Sequence, residues 1–269
     1  MTATVVDREG RLVANLPRDA FDVFEDGQPV AVSQFTSERV PVSLAILLDV
    51  SDSMFGRRIQ QAREAIERFL GDLLDPADEH AIVVFNHQQR LLSRWTDAGG
   101  AGARVLDGLR PTGATAIYDA ILAALPLAEA RHRQRAALLV ISDGADTASD
   151  AALRDVRSAL LRSDAFVYAI AIDSPDRTPI NAQVNPTALR EITDQSGGRT
   201  IVVRDAGDAI TALTTIAGEL NSQYLLGYSS PKGADGQYHR IRVRVHGTDH
   251  RVRARNGYVA VRRRPSPDQ

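Results

Sequence analysis

From residue 42 the chain reads Val-Ser-Leu-Ala-Ile-Leu-Leu before it meets Asp49, and only Ser43 interrupts the apolar run. A strand with one wet face alternates apolar and polar residues. A strand that is apolar on both faces suits the interior of a parallel sheet, with helices covering both sides. The segments that follow keep the rhythm such a sheet requires. Ile59, Ala62, Ile66, Phe69 and Leu73 recur at three- and four-residue steps, which predicts a helix that ends at Asp75-Pro76. Strands are expected at 81–85, 136–141, 165–172 and 199–203, with an edge strand at 90–95. Helices are expected at 101–109, 116–130, 151–162, 187–195 and 207–220. This alternation predicts an α/β fold, a doubly wound and mostly parallel sheet over residues 42–220.

The two ends of the chain read differently. Short β-prone runs at 2–6, 21–25 and 30–36 precede the sheet, and Asp26-Gly27 marks a hairpin turn that needs positive φ at both central residues. After it, runs at 223–228, 238–246 and 250–261 are separated by Pro231-Lys232-Gly233 and Gly247-Thr248-Asp249. Neither end holds enough chain for its own core. Residues 1–41 and 221–263 are therefore expected to pair as a small antiparallel β-sandwich into which the α/β unit is inserted, and 264–269 is expected to be a flexible tail. The helix at 207–220 runs almost directly into the strand at 223, which would let a shift of that helix reach the β domain.

Composition removes several chemistries. There is no cysteine among the 269 residues, so disulfides, thiolate nucleophiles and Cys-based metal sites are excluded. No apolar run is long enough for a transmembrane helix, and the first ten residues are too polar for a signal peptide. The net charge of −2 conceals a split. Residues 237–264 contain nine Arg and one acid, for a charge of +8, which leaves −10 on the remainder. Arg240, Arg242, Arg244, Arg251, Arg253 and Arg255 fall on predicted strands. Aromatic interleaving is sparse, so this face reads as a solvated strand face, or one paired with the acidic α/β unit, and nucleic acid is not expected. His80, His87, His132, His239, His246 and His250 show no metal-binding spacing.

Ligands of open α/β sheets gather at the carboxyl ends of the strands. There the chain places Asp49-Val50-Ser51-Asp52-Ser53, then Thr112-Gly113-Ala114-Thr115, and finally Ser142-Asp143-Gly144-Ala145-Asp146. These side chains are hard oxygen donors, without His or Cys, which argues for Mg2+, Mn2+ or Ca2+ over zinc. The bland reading of Asp49, Ser51 and Ser53 is a helix N-cap.

The pattern Asp49-x-Ser51-x-Ser53, the distant Thr115 and Asp143 in Ile-Ser-Asp-Gly resemble the metal-ion-dependent adhesion site of von Willebrand factor A domains. The resemblance implies that Ser51, Ser53 and Thr115 ligate the metal through hydroxyls. Asp49 and Asp143 would ligate it directly or through water, and an Asp or Glu of a partner protein would complete the shell. Asp52 stands where the family often has Gly. Asp52, Met54, Gly113, Ala114 and Asp146 are candidates for contact with the partner. Specificity is expected in loops 52–57, 97–115 and 173–186. Segments 7–13, 21–27, 224–228 and 252–258 resemble those flanking the A domain in a bacterial group first recognised in Acidobacteria, whose members are usually exported. Localisation and oligomeric state stay open. The expected function is a non-enzymatic, metal-dependent protein-binding module with Mg2+ as cofactor. The alternatives are a metal-dependent hydrolase or phosphotransferase, and a structural scaffold with an idle metal site.

Overall fold

The chain opens with four short strands, β1 (Thr2–Val6), β2 (Phe21–Glu25), β3 (Gln28–Val30) and β4 (Gln34–Thr36). The buried run becomes β5 (Val42–Asp49), in which every residue is buried. The computed structural model describes residues 1–98, 102–143, 146–173, 186–247 and 249–261. Most of the loop expected at 173–186, and the whole tail expected at 264–269, lie outside the described residues.

After β5 come helix α1 (Arg57–Arg68), β6 (Glu79–Phe85), β7 (Gln89–Asp97), α2 (Ile117–Glu129), β8 (Arg135–Ser142) and α3 (Leu153–Leu160). Then follow β9 (Phe166–Ile172), α4 (Pro186–Ser196), β10 (Thr200–Val203) and α5 (Ala206–Ser222). These strands form one six-stranded sheet in the order β10-β9-β8-β5-β6-β7, parallel except for β7, which pairs antiparallel to β6. Successive side chains of β5 feed opposite layers. Leu44, Ile46 and Leu48 pack with Ile59, Ile66 and Leu213 of α1 and α5. Ala45 and Leu47 pack with Ile117, Ile121 and Leu125 of α2, in a layer that α3 and α4 complete. Beyond Arg68, α1 continues as a π-helical turn over Phe69–Leu73 that keeps Phe69 and Leu70 buried before Pro76 ends the run.

Three expectations are corrected. The helix predicted at 101–109 is a 3-10 turn over Gly102–Leu106, in which Leu106 is fully buried while Arg104 and Val105 are exposed. The strand predicted at 30–36 divides between two sheets, β3 pairing with β2 and β4 with a later strand. Between them the Ser33 N–H donates to the Gly227 carbonyl and Arg18 holds the Val32 carbonyl, so the chain turns out of one sheet into the other. The strand predicted at 250–261 divides in the same way. Asn256 interrupts it by donating its backbone N–H to the Gln195 carbonyl at the end of α4.

The remaining strands are β11 (Tyr224–Gly227), β12 (Tyr238–Val245), β13 (Arg251–Ala254) and β14 (Gly257–Val259). With β1 to β4 they make two four-stranded sheets, β13-β1-β11-β4 and β14-β12-β2-β3, and every pairing is antiparallel. One apolar cluster, which includes Val5, Phe21, Val23, Tyr224, Leu226 and Ile241, joins residues of both sheets. Asp26 and Gly27 have φ of +50° and +83°, the conformation a tight hairpin turn between β2 and β3 demands. Among the described residues no helix is long and apolar enough to cross a membrane.

The predicted Arg face is used unevenly. Arg253 pairs with Glu219 of α5, a carboxylate that is fully buried and also receives Arg199 at 3.0 Å. Arg255 approaches Asp164 at 3.8 Å. Arg244 lies over the Phe24 ring, 5.0 Å from its centroid. Arg240 and Arg242 are exposed. Among the described residues, Arg253 and Arg255 therefore meet acids of the central unit, while Arg240 and Arg242 lie on a solvated strand face.

A second ionic contact pins the β2–β3 turn. His239 on β12 is buried and hydrogen-bonds Asp26 at 2.8 Å and Asp235 at 3.0 Å. Those carboxylates raise the His239 pKa above its ordinary 6.5, and the imidazole helps to lower both acids below their ordinary 3.8. The contact stabilises fully between those two ordinary values. It fades as pH rises through the raised imidazole value or falls through the lowered carboxylate values. Thermal melts should show His239→Gln a few degrees less stable than the parent near pH 5.5, with the gap shrinking at alkaline pH; a gap independent of pH would refute this assignment.

Candidate functional site

The site forms where β5 and β8, neighbours in the sheet, end side by side. Asp49 is the last residue of β5 and is fully buried. Its Oδ1 accepts the Ser51 backbone N–H at 2.8 Å, and its Oδ2 accepts the Ser142 hydroxyl at 2.6 Å. Burial raises the Asp49 carboxyl to about 6, with the charge of Asp143 adding to the rise, while the Ser142 and Ser51 bonds oppose it.

The next residues turn sharply. The Val50 N–H donates to the Phe85 carbonyl of β6, and a 3-10 turn over Asp52–Met54 follows. Ser51 Oγ and Ser53 Oγ lie 3.0 Å apart, so the two hydroxyls converge. Met54 is fully buried and anchors the turn from below, while Asp52 is exposed and Phe55 is 75% exposed. Gly56 follows with φ of +79° and releases the chain into α1. The apolar side chain this loop offers to the outside is thus Phe55.

The loop before α2 is clamped onto that turn. The Asp52 N–H donates to the Gly113 carbonyl at 2.9 Å, and the Thr112 N–H to the Val50 carbonyl at 2.8 Å. Asn86 adds a bond from Nδ2 to the Thr112 carbonyl at 2.7 Å. Gly113 has φ of +80°, and a Cβ there would stand 2.7 Å from His87 Nδ1, so no other residue fits without strain. Thr115 is buried behind the exposed Ala114, and its N–H bonds the Thr147 hydroxyl at 3.0 Å.

Asp143 follows β8 and is buried. Its Oδ2 receives Arg58 Nη1 at 3.2 Å, while its Oδ1 is buried with no hydrogen-bond partner among the described residues. The same Nη1 donates to the Ser53 carbonyl at 2.8 Å, so Arg58 ties the two halves of the site together. Asp146 is occupied differently: it accepts the Tyr118 N–H at the start of α2 and the Ser149 hydroxyl. Asp119 likewise accepts the N–H groups of Asp150 and Ala151. Asp49, Ser51, Ser53 and Asp143 come together, Thr115 is buried in the loop locked against them, and Asp146 serves the turn beyond. The sequence offers Ser142 only as one of the oxygen donors of the stretch 142–146, and gives no sign of Arg58. Ser142 was legible as a hydroxyl beside Asp143 at a strand end; a lone Arg in the first turn of a helix carries no comparable signal.

The cluster has two carboxylates, several hydroxyls and no imidazole. Among the described residues no group of three or more His, Asp or Glu side chains could hold a metal. Such a donor set suits a hard cation that keeps part of its water shell better than zinc.

Residues 44–145 match the family model described as von Willebrand factor type A domain. The human inter-alpha-trypsin inhibitor heavy chain H4 is 26% identical over 131 residues, which is 44% of this chain and 14% of that protein. The chain thus spans a small part of the curated relatives it matches. A solved von Willebrand factor type A structure from Catenulispora acidiphila superposes with a TM-score of 0.59 at 14% identity, over 90% of this chain and 73% of the other. BatB from Bacteroides thetaiotaomicron gives a TM-score of 0.55 at 21% identity, over 66% of this chain and 98% of that one. The central α/β unit therefore has the von Willebrand factor type A fold.

The buried Asp49 makes a stability prediction. A carboxyl whose folded pKa is raised holds its proton more tightly when folded, so stability falls as pH rises from the ordinary 3.8 through about 6. In chelator-containing buffer, Asp49→Asn should remove that decline and leave the protein at least as stable as the parent at pH 7.5. Denaturant titration across pH checks this, and a variant markedly less stable at pH 7.5 would refute it.

Proposed function

We propose that Asp49, Ser51, Ser53, Thr115 and Asp143 hold a divalent cation, Mg2+ or in its place Mn2+ or Ca2+, and that the chain is a metal-dependent protein-binding module. The observation that carries this reading is the Oδ1 of Asp143, a buried carboxylate oxygen with no partner among the described residues, near a pair of converging hydroxyls. A buried oxygen of that kind is costly unless a ligand satisfies it. The bound dication supplies an electrophilic centre that attracts an Asp or Glu side chain of a partner protein. The chain's own groups prepare that role. Ser142 and the Ser51 N–H orient the two Asp49 oxygens, and the clamp from Asp52 to Gly113 sets the Thr115 loop against the serine turn. The von Willebrand factor type A fold of the central unit, and a sequence without a G-x-S-x-G elbow or a phosphate-binding glycine loop, support binding over catalysis. On the same reading, 1–41 and 221–263 act as two parts of one β domain carrying the inserted module, supported by the pairing of β1 with β11 and β13 and of β2 with β12.

Calorimetric titration with Mg2+ tests the site. Asp49→Ala and Thr115→Ala should each abolish binding while circular dichroism stays like the parent's; unchanged Mg2+ affinity in both would sink the assignment. The rim makes a separate prediction. Phe55 offers apolar area next to the captured carboxylate, and exposed aromatic anchors carry much of the energy of protein interfaces. Phe55→Ser should lower capture of a binding partner about tenfold or more and leave Mg2+ affinity unchanged. Retention by the immobilised protein, with Mg2+ and with EDTA, measures it.

A further inference from the structure

We propose that Arg58 cancels the charge of Asp143, so that the loaded site keeps a net positive charge for an acidic ligand. The inference rests on the divalent-cation reading above. Arg58 is not on the surface: its side chain is 12% exposed and that of Asp143 is 7% exposed, with the guanidinium 3.2 Å from Oδ2. Its second bond, to the Ser53 carbonyl, fixes it against the metal-facing turn. Asp49 and Asp143 each carry one negative charge when ionised, and Arg58 returns one positive charge. The empty site is thus singly negative and the loaded site singly positive, so one incoming carboxylate brings it to neutrality. Without Arg58 the loaded site would already be neutral, and a carboxylate would leave it negative. Asp52 changes this balance little, because its carboxylate is exposed and screened by water and salt.

This arrangement exchanges metal affinity for ligand affinity. A cation held close to a dication repels it, and the repulsion is felt strongly where water is scarce. A residue that merely positioned Asp143 would act in the opposite direction, because its loss would weaken metal binding. The two roles therefore predict changes of opposite sign.

The test uses the full chain, with Mg2+ alone and acetate as the carboxylate probe. Arg58→Gln keeps an N–H donor but removes the charge, and Arg58→Lys keeps the charge. Calorimetry should show Arg58→Gln binding Mg2+ roughly tenfold more tightly than the parent. Acetate should strengthen the apparent Mg2+ affinity of the parent and of Arg58→Lys, and should have little effect on Arg58→Gln. Equal or weaker Mg2+ binding by Arg58→Gln, or an acetate effect that survives in it, overturns the inference. If Arg58→Gln does not fold, loss of the parent behaviour in Arg58→Lys on both measurements overturns it as well. Asp49→Ala separates the two levels. Parent binding abolished by Asp49→Ala, together with an unaltered Arg58→Gln, defeats the charge-balance role alone. Parent binding that Asp49→Ala leaves intact defeats the metal site and this inference together.

Discussion

The burial of one carboxylate at the end of a central strand organises the whole site. Asp49 is carried out of the core by β5, a strand without a wet face, and arrives where water cannot solvate it. An ionised carboxylate there is expensive unless its oxygens are bonded. Both are: one by the Ser51 N–H, which bends the chain back, and one by the Ser142 hydroxyl, which ties β5 to β8. The turn that places Ser51 and Ser53 is therefore a consequence of satisfying Asp49.

The site is assembled by loops with little freedom of their own. Met54 roots the serine turn in the core, and Gly113 lets the neighbouring loop pass against His87 where a side chain would collide. Backbone bonds between Asp52 and Gly113, and between Thr112 and Val50, close the two loops on one another. Donor groups held this way need little reorganisation on meeting a ligand, which is the physical content of preorganisation. Phe55 is the contrast: it stands on the same rigid turn yet packs against little.

Much of this was legible because hydrophobic periodicity and strand-end chemistry are local. The unbroken run of β5 and the alternation of strand and helix announced the central sheet. The oxygen-rich stretches at Asp49 and Asp143 pointed to the strand ends where Asp49, Ser51, Ser53 and Asp143 come together. Features that depend on tertiary partners were not legible. Val30 and Gln34 are four residues apart and equally plausible in one strand, but the Gly227 carbonyl and Arg18 hold the chain between them and send it into two sheets. Asn256 breaks the last predicted strand because the end of α4 accepts its N–H. Arg58 looks in the sequence like any solvated helix residue, and only the fold brings Asp143 to it.

The seam between the central sheet and the terminal strands bears on how this molecule can be divided. Gly197 has φ of +93°, and a Cβ on it would stand 2.8 Å from the Arg255 nitrogen; a Cβ on Gly198 would run into the Val167 carbonyl. Beside them, Glu219 of α5 shares its buried carboxylate between Arg199 of the central unit and Arg253 of β13. A chain cut after α5 would leave Glu219 with one of its two cations and Gly197 shaped for a strand that is gone. The von Willebrand factor type A unit here is not a free cassette. Transplanting it onto another scaffold would require a substitute for β13, with a guanidinium in the place of Arg253.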